Sequence, residues 1–139
     1  MLNLDRKDVT SVEFLLKAIY REYISSLNKR DLSQLGRFVH EDVRYNEQPI
    51  GLAGYRQMLE GDYRDIPDLY FNIDILVCEP PYLSSRLRFD VTPKGQFMGL
   101  PINGRSVLFY ENVIYKYEGG KIKQVWSVID KAAIEAQIS

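Results

Sequence analysis

The hydrophobic period changes near Leu69, and that switch constrains the fold more than any other feature of the chain. Before it, apolar residues recur at three- and four-residue steps: Val12, Leu15, Leu16, Ile19, Tyr20, Tyr23 and Ile24 form one helical stripe. The spacing predicts a helix from Asp8 to Leu27, opened near Thr10 or Ser11 and stopped at Asn28. "KRDLSQLGRFV" reads as a short second helix with Asp31 as its N-cap, and "LAGYRQMLEGDYRDI" as a third, with Tyr55, Met58 and Leu59 on one face. "EDVRYNEQPIG" between them reads as extended. After Leu69 the period is two. "YFNIDILVCE", "YLSSRLRFDVTP", "SVLFYENVIYKYE" and "KIKQVWSVID" are β-rich strand candidates, punctuated by Pro80-Pro81, "PKGQFMGLPING" and "EGG". "KAAIEAQIS" reads as a short helical tail or a frayed end. Helices first and antiparallel strands after predict an α+β domain, with helices covering one sheet face. If the sheet is strongly curved, the two layers enclose a cavity. With 139 residues and no internal linker, residues 1–139 read as one domain.

Charge and composition exclude several function classes. Lys and Arg total 18 against 19 Asp and Glu, so no basic excess favours nucleic acid or an anionic membrane. No apolar run approaches the ~20 residues of a membrane span. The start, "MLNLDRKDVT", is charged where a signal peptide would be apolar, so the expected location is cytoplasmic. His40 is the single histidine and Cys78 the single thiol, too few for a metal site or for a Ser-His or Cys-His device beyond His40 itself. His40 reads as a solvated or capping residue. "EGG" and "GLPING" lack the spacing of a phosphate loop. No metal and no organic cofactor is expected.

Strand parity nominates the inward residues. If Lys121 and Lys123 point to water, then Ile122, Gln124, Trp126, Val128 and Asp130 face inward. If Lys116 points outward, then Phe109, Glu111, Val113, Tyr115 and Tyr117 face inward. A bulge in either strand would exchange its faces. Arg86, Arg88 and Asp90 share the parity opposite to Leu87 and Phe89, so that row either faces solvent, the preferred reading, or lines a polar cavity. Asp130 has two readings: an N-cap for "KAAIEAQ", or a carboxylate at a pocket mouth. Glu111, at the centre of an apolar strand, is the second candidate base. Tyr20, Tyr23, Tyr45, Tyr55, Phe109, Tyr115 and Trp126 form a candidate ring around a flat ligand, or an aromatic core. A buried tyrosine hydroxyl needs a partner, which a cavity can supply.

The order of several short segments resembles the SnoaL-like polyketide cyclases, also called ester cyclases, of the nuclear-transport-factor-2-like superfamily. The resemblance spans roughly Val12 to Ile134. "YREYISSLNKRDLSQLGRFVHEDVRYN" resembles the opening helix pair and first strand, and "GLAGYRQML" the glycine before the third helix. "DIPDLYFNI" resembles the Pro-Asp segment before the next strand. "GQFMGLPINGRSVLF" resembles the Pro-x-x-Gly-Arg loop, and "GGKIKQVWSVID" the final Gly-Lys-Ile strand with its Trp and trailing Asp. The resemblance implies a cone-shaped domain, three N-terminal helices on a strongly curved antiparallel sheet, and a homodimer paired through the convex sheet face.

It also implies a cofactor-free cyclase, isomerase or dehydratase. A carboxylate removes an acidic CH proton, and hydroxyl or amide donors such as Asn46, Tyr20 or Tyr45 stabilise the enolate before an aldol-type ring closure. Family members with this chemistry use an acidic residue on the last strand, often with a histidine on the neighbouring strand. Here that neighbouring strand has no histidine, and Ser127 follows Trp126 where many relatives have Asp. Asp130 is the remaining last-strand carboxylate. The alternative is a non-catalytic ligand-binding or scaffold member of the same superfamily.

Overall fold

The computed structural model describes the backbone of residues 2–139 and the side chains of residues 11–139. The first helix, α1 (Leu2–Asn28), starts earlier than the expected Asp8; the side chain of Thr10 lies outside the described residues. Its buried face is Leu16, Tyr20, Tyr23, Ile24 and Leu27. Val12 and Leu15, expected in that stripe, are exposed at 43% and 56%, so among the described residues the buried stripe begins at Leu16. Asn28 ends the helix as expected and ties it to the sheet: its side-chain amide donates to the Phe71 carbonyl at 3.0 Å and accepts from the Phe71 N–H at 2.7 Å.

The second helix is shorter than the sequence suggests. A 3-10 turn (Leu32–Gln34), capped by Asp31, leads into a single α-turn, α2 (Leu35–Phe38). The chain then runs through β1 (Val39–Tyr45) and α3 (Gly51–Asp65). The second half supplies β2 (Asn72–Glu79), β3 (Tyr82–Val91), a small hairpin β4 (Gln96–Phe97) and β5 (Leu100–Pro101), β6 (Val107–Glu118) and β7 (Lys121–Ile129). The tail is helical, α4 (Lys131–Ile138).

The main sheet has the order β1-β7-β6-β3-β2. β2, β3, β6 and β7 pair antiparallel, as the period predicts. β1 joins the edge of β7 in parallel, which the linear sequence does not reveal. The helices cover the concave face, and the core lies between the layers. Leu83, Leu87, Phe89 and Val91 of β3 point into it, and Arg86, Arg88 and Asp90 point out, as parity predicts. Among the described residues no helix is long and apolar enough to cross a membrane.

The parity of β7 is overturned by one residue. Tyr117 pairs with Ile122, yet Lys116 pairs with Gln124, so β7 carries an extra residue, a bulge at Lys123. Before the bulge Ile122 faces the core. After it the faces exchange, and Val125, Ser127 and Ile129 point inward. Trp126, Val128 and Asp130 therefore lie off the inner face, contrary to the expectation. β6 keeps its predicted parity: Phe109, Val113, Tyr115 and Tyr117 are buried, and Glu111 shares their side.

Candidate active site

The open end of the layers holds a cavity of about 150 Å³, and a smaller one of about 50 Å³ lies deeper. Tyr45, Met58, Asp62, Phe71 and Glu111 line both, so the two are lobes of one space. The outer lobe has aromatic walls. Phe89 and Phe109 stack at 5.2 Å and 22°, Phe71 meets Phe89 edge-on at 5.3 Å, and Phe97 of the β4–β5 hairpin packs on Phe109 at 5.3 Å. A space of this size takes about one ring.

Glu111 enters from the middle of β6. Its direct partner on β7 is Ile129, and the diagonal neighbour Ser127 donates its hydroxyl to Glu111 Oε2. Burial raises the Glu111 carboxyl above the usual carboxylate range, and the Ser127 bond partly offsets this. Ser127 is itself held by Asn46. The Asn46 side chain accepts from the Ser127 N–H at 2.8 Å and donates to the Ser127 carbonyl at 3.2 Å. Asn46 adopts φ +47°, a left-handed conformation that Asn tolerates well, where β1 turns away from β7. It thus fixes β7 instead of offering a donor to the cavity.

Asp62 faces the cavity from α3, and sequence reasoning missed it. The signal was present. Asp62 follows Tyr55 by seven residues, Met58 by four and Leu59 by three, so a carboxylate sits on the apolar stripe of an amphipathic helix. Burial, then the charges of Glu111 and Asp65, push its carboxyl up to about 6.

The tyrosines form a graded set. Tyr45 lines both lobes; burial, then the Glu111 charge, push its phenol up to about 12, while the adjacent Ser127 hydroxyl acts in the opposite sense. Tyr55 and Tyr115 line the inner lobe. Tyr55 bonds Tyr23 through their hydroxyls at 2.7 Å, and Tyr115 meets the Tyr20 hydroxyl at 3.3 Å. Tyr20 lies behind Tyr115, in the core rather than on the cavity wall. Burial, as the largest cause, raises the Tyr55 and Tyr115 phenols well above their ordinary range, so these hydroxyls stay protonated.

Besides Tyr20 and Asn46, two more predicted site residues lie off the cavity wall. Trp126 is on the outer sheet face, where its indole N–H donates to Glu47 Oε1 at 2.6 Å. Asp130 is exposed and caps α4, its Oδ1 accepting from the Ala133 N–H at 3.1 Å. The bulge at Lys123 accounts for Trp126, and the start of α4 accounts for Asp130. Among the described residues, no group of three or more His, Cys, Asp and Glu is placed to hold a metal. His40 Nδ1 accepts from the Asp42 N–H at 2.9 Å, a local turn contact.

Comparison with known proteins places this geometry. The family profile for SnoaL-like polyketide cyclase matches residues 17–138. A crystal structure of a SnoaL-like polyketide cyclase from Agrobacterium tumefaciens is 52% identical, with TM-score 0.88 over 89% of this chain and 98% of that one. TsrD from Streptomyces laurentii (23% identity, TM-score 0.77, 88% of this chain and 93% of that one) shares the fold. So does IdmH from Streptomyces antibioticus (18%, 0.76, 88% and 97%). Among curated proteins none matches the sequence. The profile match spans the helices, the curved sheet and the cavity between them, and the chain belongs to the SnoaL-like polyketide cyclase family.

Proposed function

We propose that this protein binds a small, flat, partly apolar carbonyl compound in the aromatic cavity and catalyses a cofactor-free, aldol-type ring closure, with Glu111 as the base. The observation that carries the reading is a carboxylate of raised pKa facing an aromatic-walled cavity, held among the described residues by one hydroxyl and by no cation. Such a group is costly for stability alone and suited to proton abstraction from carbon. Glu111 takes the CH proton beside a carbonyl. The Tyr45 phenol, on the same wall, donates to the enolate oxygen. Ser127 orients Glu111, and Asn46 orients Ser127. Asp130 serves as a helix cap in this scheme and Trp126 belongs to the outer face.

The absence of a strand histidine is met by this change of partner: the carboxylate stands on β6 and a hydroxyl on β7. Replacing Glu111 by Gln is expected to lower turnover by about 10² to 10⁴, the usual worth of a positioned base, with folding retained. A variant with full turnover would refute the assignment and favour a ligand-binding role for the cavity.

We also propose a homodimer in the cytoplasm. The outer sheet face exposes Val77, Tyr82, Ile114 and Val128 around Trp126, an apolar patch of the kind monomers rarely leave open. Light scattering at micromolar concentration should give twice the 16.2 kDa chain mass. A monomer that persists as concentration rises removes this part.

A further inference from the structure

The chain places a second carboxylate opposite the first. Asp62 reaches the cavity from α3, Glu111 from β6, and both face the inner and the outer lobe. They therefore flank the same bound atoms from a helix and from a strand. Ser127 satisfies Glu111, whereas among the described residues no side-chain hydrogen bond or ion pair reaches the Asp62 carboxylate. Among the described residues the remaining polar side chains on the walls are the phenols of Tyr23, Tyr45, Tyr55 and Tyr115, and no Lys, Arg or His lines either lobe.

We infer that Asp62 is the acid partner of Glu111, and that the pair acts on an uncharged, enolisable ketone of about one ring. This rests on the reading of Glu111 as base and extends it. The charge argument sets the substrate class. Two carboxylates in a half-buried space with no cation repel a carboxylate or phosphate ester, so an acidic or phosphorylated substrate does not fit. The volume sets the size, since about 150 Å³ is filled by a single ring and its substituents.

The step balances with the groups present. Glu111 removes the proton from the carbon beside one carbonyl. The electron pair of that C–H bond forms the new C–C bond to a second carbonyl carbon. The π pair of that second carbonyl moves to its oxygen, which takes the proton of Asp62. The product is a β-hydroxy ketone, Glu111 leaves protonated and Asp62 ionised, and one proton passed between them through water restores both. For this cycle Asp62 must hold its proton when Glu111 has lost one. Burial, first, then the like charges of Glu111 and Asp65 all act in that direction on Asp62, and the tyrosine phenols that face it from α1, β1, β6 and α3 itself are neutral.

Two measurements test this on the intact protein. The first needs no ligand: side-chain carboxyl carbons are titrated by NMR. Glu111→Gln should lower the midpoint of Asp62, and Asp62→Asn that of Glu111. Unmoved midpoints in both variants overturn the pair. The second follows deuterium exchange at the benzylic CH₂ of phenylacetone, an uncharged ketone of one ring, across pH. Wild type should exchange with a bell-shaped profile and Glu111→Gln should not exchange above background. Asp62→Asn should slow exchange about 10²-fold and lose the alkaline limb. If Glu111→Gln stops exchange while Asp62→Asn keeps rate and profile, the inference falls and the base reading stands. If wild type gives no exchange, or Glu111→Gln exchanges normally, both fall.

Discussion

Replacing Asp62 by Asn should make the protein more stable, and only above a defined pH. The structure sets the size of the effect. Burial, first, and the charges of Glu111 and Asp65 raise the Asp62 carboxyl from an ordinary 3.8 to about 6. A raised carboxyl is one whose ionised form the fold disfavours. Between those two values the unfolded chain has lost the proton and the folded chain has kept it, so stability falls as pH rises. The loss begins near 3.8, is complete above about 6, and amounts to about 3 kcal/mol. Solvent reaching the cavity screens part of it, which leaves about 1–3 kcal/mol. Asn has nearly the same shape and never ionises. Urea denaturation of wild type and Asp62→Asn should therefore give equal stabilities near pH 3.5 and a gap of this size, in favour of the variant, at pH 7.5. Subtracting the two curves cancels the titrating groups that do not sense Asp62; Glu111 is coupled to it, and its lowered midpoint in the variant widens the gap in the same direction. A gap independent of pH would refute the argument, and so would a wild type more stable than the variant at pH 7.5. A carboxylate that costs stability where a neutral isostere would not is kept for another reason, which in the scheme above is proton transfer.

Three further outcomes follow from the same geometry. Asp130→Ala should cost about 0.5–2 kcal/mol by loss of the α4 cap, Asp130→Asn only a few tenths, and neither should alter exchange of phenylacetone; loss of exchange in Asp130→Asn would return the base to the last strand. Ser127→Ala removes the donor that offsets the effect of burial on Glu111, so the acid limb of the exchange profile should move to higher pH, and an unmoved limb would show that this hydroxyl does not tune the base. Gly51 sits at φ +66° with space for a Cβ only 3.3 Å from the Glu41 carbonyl, so Gly51→Ala should lower stability by about 1 kcal/mol or more in thermal melts, and an unchanged melt would refute this account of how α3 begins.

The sequence by itself determined the element types, because these rest on local period. Helical steps through Tyr20 and Tyr23 and alternation through Leu83, Leu87 and Phe89 are written in neighbouring residues, and so are the Gly119-Gly120 turn and the outward row of Arg86 and Arg88. Glu111 was legible for the same reason: a charged residue at an inward position of an unbroken strand faces whatever that side encloses. What only the tertiary structure decided depends on pairing between distant segments. The extra residue at Lys123 exists only against β6, and it turned Trp126 outward and Ser127 inward. The parallel seat of β1 beside β7 put Asn46 on Ser127 rather than in the cavity. Asp62 was visible as a carboxylate on an apolar stripe, but its meaning required knowing that Glu111 lay across from it. A strand's period carries no record of a bulge that its partner induces, and a helix face carries no record of what it will be packed against; those are properties of contacts, which the fold makes and the linear chain does not contain.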